Sequence, residues 1–203
     1  VHPGYPDAFY LSYTLRKSAV SPNGKYGIIF PDRTRMDDPA NFLVAVKESR
    51  ILGEIDFQPD DIYFAGKNHG GLTVRWAPNS SAVLVVTEGK WSPRELIVVE
   101  LKDGRIGRQT PLIGALEKGI HAAAPKAAGL DRAMVELEVK DIAWKAGKSL
   151  QLQFKCEVST NPKGFPNEDS WSGSIVALWD AAQHKFTEVK VKQTSFRKGG
   201  KDE

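Results

Sequence analysis

Cysteine is nearly missing from this chain: Cys156 stands alone, so no intramolecular disulfide can staple the fold. Histidine is also sparse. His2, His69, His121 and His184 share no ligand spacing, and with one thiol they exclude a Cys/His zinc site. No apolar run approaches the ~18 residues that a spanning helix requires, so no membrane span is expected. Neither charge sign dominates, because 28 Lys and Arg face 25 Asp and Glu, intermixed along the sequence for a net +3. Nucleic-acid binding calls for a basic stripe, which this distribution does not supply. G-x-G-x-x-G is absent, and Gly147-Lys148-Ser149 has Ile142 where a phosphate loop needs its first glycine. A Gly-x-Ser-x-Gly nucleophile elbow is absent too. No cofactor and no metal is therefore expected; Asp32, Asp37 and Asp38 lack the regular oxygen spacing of a hard-cation loop.

What the chain does have is alternation with a period of two. Leu11, Tyr13 and Leu15 alternate with polar residues, as do Val135, Leu137 and Val139, which predicts strands with one face in a core and one in water. In Leu150-Gln151-Leu152-Gln153-Phe154-Lys155-Cys156-Glu157-Val158 the even positions are apolar, which puts Cys156 on the buried face as a structural thiol rather than a nucleophile. Ile28-Ile29-Phe30, Val83-Leu84-Val85-Val86 and Leu96-Ile97-Val98-Val99 predict strands buried on both faces. One segment differs: Leu112, Leu116, Ile120 and Ala123 recur at helical spacing, with Pro111 at a first helical position and Pro125 as a stop. A short helical insertion near 111–124 is expected. Since 203 residues at globular composition suit one domain with a sizeable core, a single domain over 1–203 is the expectation, with the tail 197–203 disordered.

Three segments look alike. Val20-Ser21-Pro22-Asn23-Gly24-Lys25-Tyr26, Trp76-Ala77-Pro78-Asn79-Ser80-Ser81 and Trp144-Lys145-Ala146-Gly147-Lys148-Ser149 each put a tight turn between an apolar anchor and a strand. Each is followed by a loop, a strand, a second turn and another strand, so each unit forms a four-stranded antiparallel meander of about 55 to 70 residues. The units span approximately 10–57, 72–108 and 135–193. Ser21-Pro22-Asn23-Gly24-Lys25 and Trp76-Ala77-Pro78-Asn79 resemble the blade repeat of TolB-type and WD-repeat-like β-propellers, in which Ser-Pro-Asp-Gly-Lys links the first two strands of a blade. The third copy has lost the proline, and three units are fewer than the four or more blades of a closed ring. The fold class is thus mainly β, propeller-like with few or incomplete blades. The resemblance, together with a first residue Val1 in place of Met, leads us to expect a periplasmic or secreted protein, with the cytoplasm as the alternative.

An antiparallel meander fixes which connections share an end. The turns near Pro22, Pro78 and Gly147 lie with those near Glu48, Asp103 and Ala182. The long connections 31–41, 88–94 and 159–172, and the segments 56–72 and 107–134, emerge at the opposite rim, where binding residues tend to sit on a rigid scaffold. The candidate binding residues are Arg33, Arg35, Asp37, Asp38, Asn68, His69, Trp91, Arg94, Phe165 and Trp171, a mixture of arginine and loop aromatics of interface type. The competing reading has Trp91, Phe165 and Trp171 folding back as caps over the core. These features point to a non-enzymatic binding or scaffolding domain holding a protein or peptide partner. The alternative is a hydrolase or lyase on the same rim, with His69 as base and Asp60 as orienting carboxylate, which needs the two within hydrogen-bond reach. Open sheet edges also leave room for self-association.

Overall fold

The computed structural model describes residues 13–32, 39–90, 92–123, 135–146, 149–160 and 170–198. The protein is mainly β. Its strands form three separate four-stranded antiparallel sheets, each a meander in chain order. The first holds β1 (Tyr13–Val20), β2 (Tyr26–Pro31), β3 (Phe42–Ala45) and β4 (Arg50–Glu54). The second holds β5 (Gly71–Trp76), β6 (Ala82–Glu88), β7 (Pro93–Lys102) and β8 (Arg105–Pro111). The third holds β9 (Val135–Lys145), β10 (Gln151–Thr160), β11 (Ser170–Asp180) and β12 (Lys185–Arg197). A short helix, α1 (Ile113–Ala123), separates the second and third meanders. The chain divides into two compact units, one carrying the first two sheets and the other carrying α1 and the third sheet.

In the first unit the two sheets pack as neighbouring blades of a propeller-like stack, β1 beside β5 and β4 beside β8. Their shared core comes from the runs dense in β-branched residues: Ile28, Leu43, Val83, Val85, Ile97 and Val99 are all essentially inaccessible. The Trp76 indole donates to the Ala19 carbonyl (2.9 Å) and stacks on Tyr26, tying the anchor of the second meander to the first. Gly53 of β4 makes room for β8, since a Cβ there would lie 2.7 Å from Ile106 Cδ1. Equivalent turns meet at one end, where the Asn23 N–H donates to Ser80 Oγ (3.2 Å); within the second sheet the Leu101 N–H of β7 donates to the Ser81 carbonyl (2.8 Å). Ser21 and Asn23 close the first turn by accepting the Tyr26 and Lys25 N–H groups, and Asn79 accepts the Ser81 N–H in the second. Asn and Ser stand in these turns because their short side chains replace missing ladder bonds.

In the second unit β10 alternates as its sequence demands. Leu152, Phe154, Cys156 and Val158 are buried, whereas Lys155 and Glu157 are exposed. β11 adds Trp171, Ile175, Ala177 and Trp179 to the same core. α1 packs against β12, with Gly119 lying against Val189 and with Leu116 and Ile120 buried. The opposite face of the sheet is laced with charge: Lys140 bridges Glu138 (2.6 Å) and Glu157 (3.2 Å), two carboxylates directly opposite one another.

Three local expectations are corrected. Leu15 is 38% exposed rather than buried although it pairs in register with Ile29; β1 is the edge strand of its sheet, and the register shifts only beyond Leu15. Pro111 does not open the helix: it closes β8, paired with Ile97, and the helix starts two residues later at Ile113. Arg197 is not tail but the last residue of β12, paired with Ser170. Leu11, Pro125 and residues 199–203 lie outside the described residues.

Candidate functional site

The long connection between β4 and β5, residues 55–70, carries the candidate site. It contains no long regular element, only a single 3-10 turn at Pro59–Asp61, so its shape depends on bonds to neighbouring elements. Asn41 supplies two of them. This side chain is wholly buried just before β3; its Nδ2 donates to the Tyr63 carbonyl (2.7 Å) and its Oδ1 accepts the Tyr63 N–H (2.9 Å). The Asn41 carbonyl also accepts the Ile55 N–H (2.8 Å), and the Pro31 carbonyl accepts the Ala65 N–H (2.8 Å). Burying Ile55, Phe57, Ile62 and Tyr63 completes the anchoring. From β1, Arg16 reaches over the Phe30 ring (4.7 Å) and donates to Tyr63 Oη (2.9 Å). The connection is irregular in backbone but pinned along most of its length.

On this pinned frame two cations converge. Lys67 Nζ donates to the carbonyls of Asp60 and Ile62, both at 2.7 Å, and lies 5.6 Å from the centre of the Phe64 ring. Arg94, at the start of β7, donates Nη1 to the same Asp60 carbonyl (2.9 Å). Desolvation holds the Lys67 ammonium below the usual lysine range, and the neighbouring Arg94 charge pushes in the same direction against Asp61 and Asp60. Among the described residues neither cation forms an ion pair with a carboxylate. Asn68 and His69 follow at the corner of the loop, both exposed, with His69 in the left-handed region (φ 54°). That backbone conformation is uncommon outside glycine and marks a tight corner of the connection.

Of the residues expected from the sequence, Asp60 and Arg94 meet at the Asp60 carbonyl, and Asn68 and His69 follow Lys67 in the same connection. Trp171 does not belong with an exposed rim: it is 1% exposed, on the face of β11 that holds Ile175 and Trp179, so it caps the core as the competing reading required. Arg33, Arg35, Asp37, Asp38, Trp91 and Phe165 lie outside the described residues. The His69–Asp60 pair needed by the hydrolytic alternative is not formed: no carboxylate of the described residues hydrogen-bonds His69. Cys156 is 2% exposed and burial pushes its thiol up to about 12, far from a thiolate at neutral pH. Among the described residues no three His, Cys, Asp or Glu side chains are grouped closely enough to hold a metal. Lys67, Asn41 and Arg16 were missed from sequence. Asn41, a polar residue directly before the apolar Phe42-Leu43-Val44, was the one with a readable signal.

No protein-family model matches the chain, and no curated protein matches it.

Proposed function

We propose that this protein is a non-enzymatic binding or scaffolding domain that holds a protein or peptide partner at the loop end of its first unit. One observation carries the reading: Asn68 and His69 are exposed on a connection pinned by buried Asn41 and by Lys67, and exposed Arg94 of β7 is bonded to that same connection at the Asp60 carbonyl. Exposed hydrogen-bonding groups on a preorganised loop lose little entropy on binding, which is what a recognition surface needs. The resemblance of the turn sequences to TolB-type and WD-repeat-like repeats, scaffolds that offer such loops for binding, supports the same reading. A periplasmic or secreted location belongs to the same proposal.

The test is selection of a random-peptide display library on the immobilised full chain, repeated with a combined Asn68→Ala/His69→Ala variant. The reading expects enriched sequences whose affinity falls about tenfold or more in the variant, the loss of roughly one good polar contact pair. Enrichment indifferent to these substitutions, or no enrichment, would overturn it.

A further inference from the structure

The polar cluster around the Asp60 carbonyl has an electrostatic peculiarity. Two full positive charges, Lys67 and Arg94, are directed at one neutral oxygen, although the carboxylates of Asp60 and Asp61 belong to the same turn. A carbonyl dipole offsets only part of the repulsion between two cations that share it. Lys67 is half-buried and committed, with two carbonyls accepting from its ammonium and the Phe64 ring beside it. Arg94 is not enclosed. It is exposed, one Nη1 proton is committed to Asp60, and the rest of its N–H fork is open. A planar guanidinium held at one corner, with a second cation behind it, presents the geometry that a carboxylate takes with two parallel bonds.

We propose that Arg94, backed by Lys67 and bordered by Asn68 and His69, is a carboxylate-binding site that recognises an acidic residue or the C-terminal carboxylate of an extended peptide. The site rests on the partner-binding reading of this loop end and names the chemistry of the partner. Lys67 acts by field and by fixing the loop, Arg94 by contact. The anion supplies the missing negative charge between the two cations, so its binding and the Lys67 ammonium favour one another. Asp61 opposes it through the same field.

The experiment uses the full chain and five peptide arms of common length: internal Asp or Glu with an amidated C-terminus, neutral side chains with a free C-terminus, the amide counterpart of each, and basic peptides. Binding is read by fluorescence polarisation for wild type and for Arg94→Gln, Arg94→Lys, Asp61→Asn and Asn68→Ala/His69→Ala. The proposal expects one of the two carboxylate arms, and not its amide counterpart, to bind. That affinity should fall about tenfold or more in Arg94→Gln, recover only in part in Arg94→Lys, and rise about twofold to fivefold in Asp61→Asn. The arm that binds identifies the source of the carboxylate. Peptides that bind equally as acid and amide, yet lose affinity in Asn68→Ala/His69→Ala, would overturn the carboxylate site and leave the loop-end reading standing. If no arm depends on any of these residues, both fall. Tighter binding in Asp61→Asn is the outcome that a merely weakened fold cannot mimic.

Discussion

Asp180 ends β11 and organises the turn that follows it. Its Oδ1 accepts the N–H groups of Ala182 and Gln183, both at 2.9 Å, and its Oδ2 accepts from the Ser149 hydroxyl and from Gln151 Nε2. These bonds favour the ionised form; the Ser149 bond is the largest influence, and together they hold the Asp180 carboxyl below the usual carboxylate range against the opposing effect of burial. A depressed folded-state pKa means that the unfolded chain takes up the proton first as the pH falls. The stabilisation is therefore complete above the unfolded value, about 4, and is lost as pH falls through the folded value. Asp180→Asn keeps an acceptor for the two turn N–H groups but carries no titrating charge. We expect it to lower the denaturation midpoint at pH 7 and to flatten the decline of wild-type stability below about pH 4. Parallel acid limbs for the two proteins in chemical denaturation would refute this role. At this scale the sequence showed that Asp180-Ala181-Ala182-Gln183 is a turn, but the partner from thirty-odd positions upstream is a tertiary fact that no local pattern encodes.

Strands differ in how openly they declare themselves. β10 could be read residue by residue because it lies between two neighbours in continuous register, apart from one shift at Lys155/Cys156, and because one of its faces is solvated. β1 could not, since it is the edge strand of its sheet: Leu15 is exposed even where it stays in register with Ile29, and beyond it the register shift before Val20 removes the phase of the alternation. The α1 boundary failed for a related reason: Pro111 suits a first helical turn and a strand end equally, and the Leu112 N–H bond to the Leu96 carbonyl (2.7 Å) decides for the sheet. β11 shows what burial does to an aromatic in an otherwise polar stretch. The Trp171 indole lies across Gly173, where a Cβ would come within 2.4 Å of Cη2 and 3.1 Å of the Lys192 carbonyl oxygen. A second register shift falls at this point between β11 and β12, and the ring has no room to swing, because Trp171 is fully buried. Gly173→Ala should therefore destabilise the protein by about 1–3 kcal/mol through overpacking and change the near-ultraviolet circular dichroism of Trp171. An unchanged melting midpoint with an unchanged aromatic spectrum would show that the ring moves freely.

For the whole molecule, the three meanders and the order of their strands were legible, because turn chemistry recurs at Pro22, Pro78 and Gly147 and each turn admits one local pairing. Which polar groups meet at the loop end was not, since that depends on contacts such as that of Arg94 in β7 with Asp60 in the connection, thirty-four positions apart. Asn41 links the two levels. Its side chain is the buried peg that holds the middle of the 55–70 connection at Tyr63, and it hydrogen-bonds none of the exposed binding groups. Asn41→Leu would leave the Tyr63 N–H and carbonyl without partners in a buried setting, at a cost of roughly 2–4 kcal/mol. The core of Ile28, Val83 and Val85 takes in Ile55, Phe57 and Ile62 of the connection but neither Asn41 nor Tyr63, so the loss should appear first as local opening about Tyr63: faster amide exchange within 55–67, greatest from Tyr63 onward, with protection of β2 and β6 retained. If the loop end is the recognition surface, peptide affinity should fall with it, although no contacting residue has changed, because the released connection must be reordered on binding. Amide exchange that rises in 55–67 without any loss of peptide affinity would place the partner elsewhere. Exchange that rises uniformly over both sheets would instead make Asn41 part of the global core rather than the hinge pin of its loop.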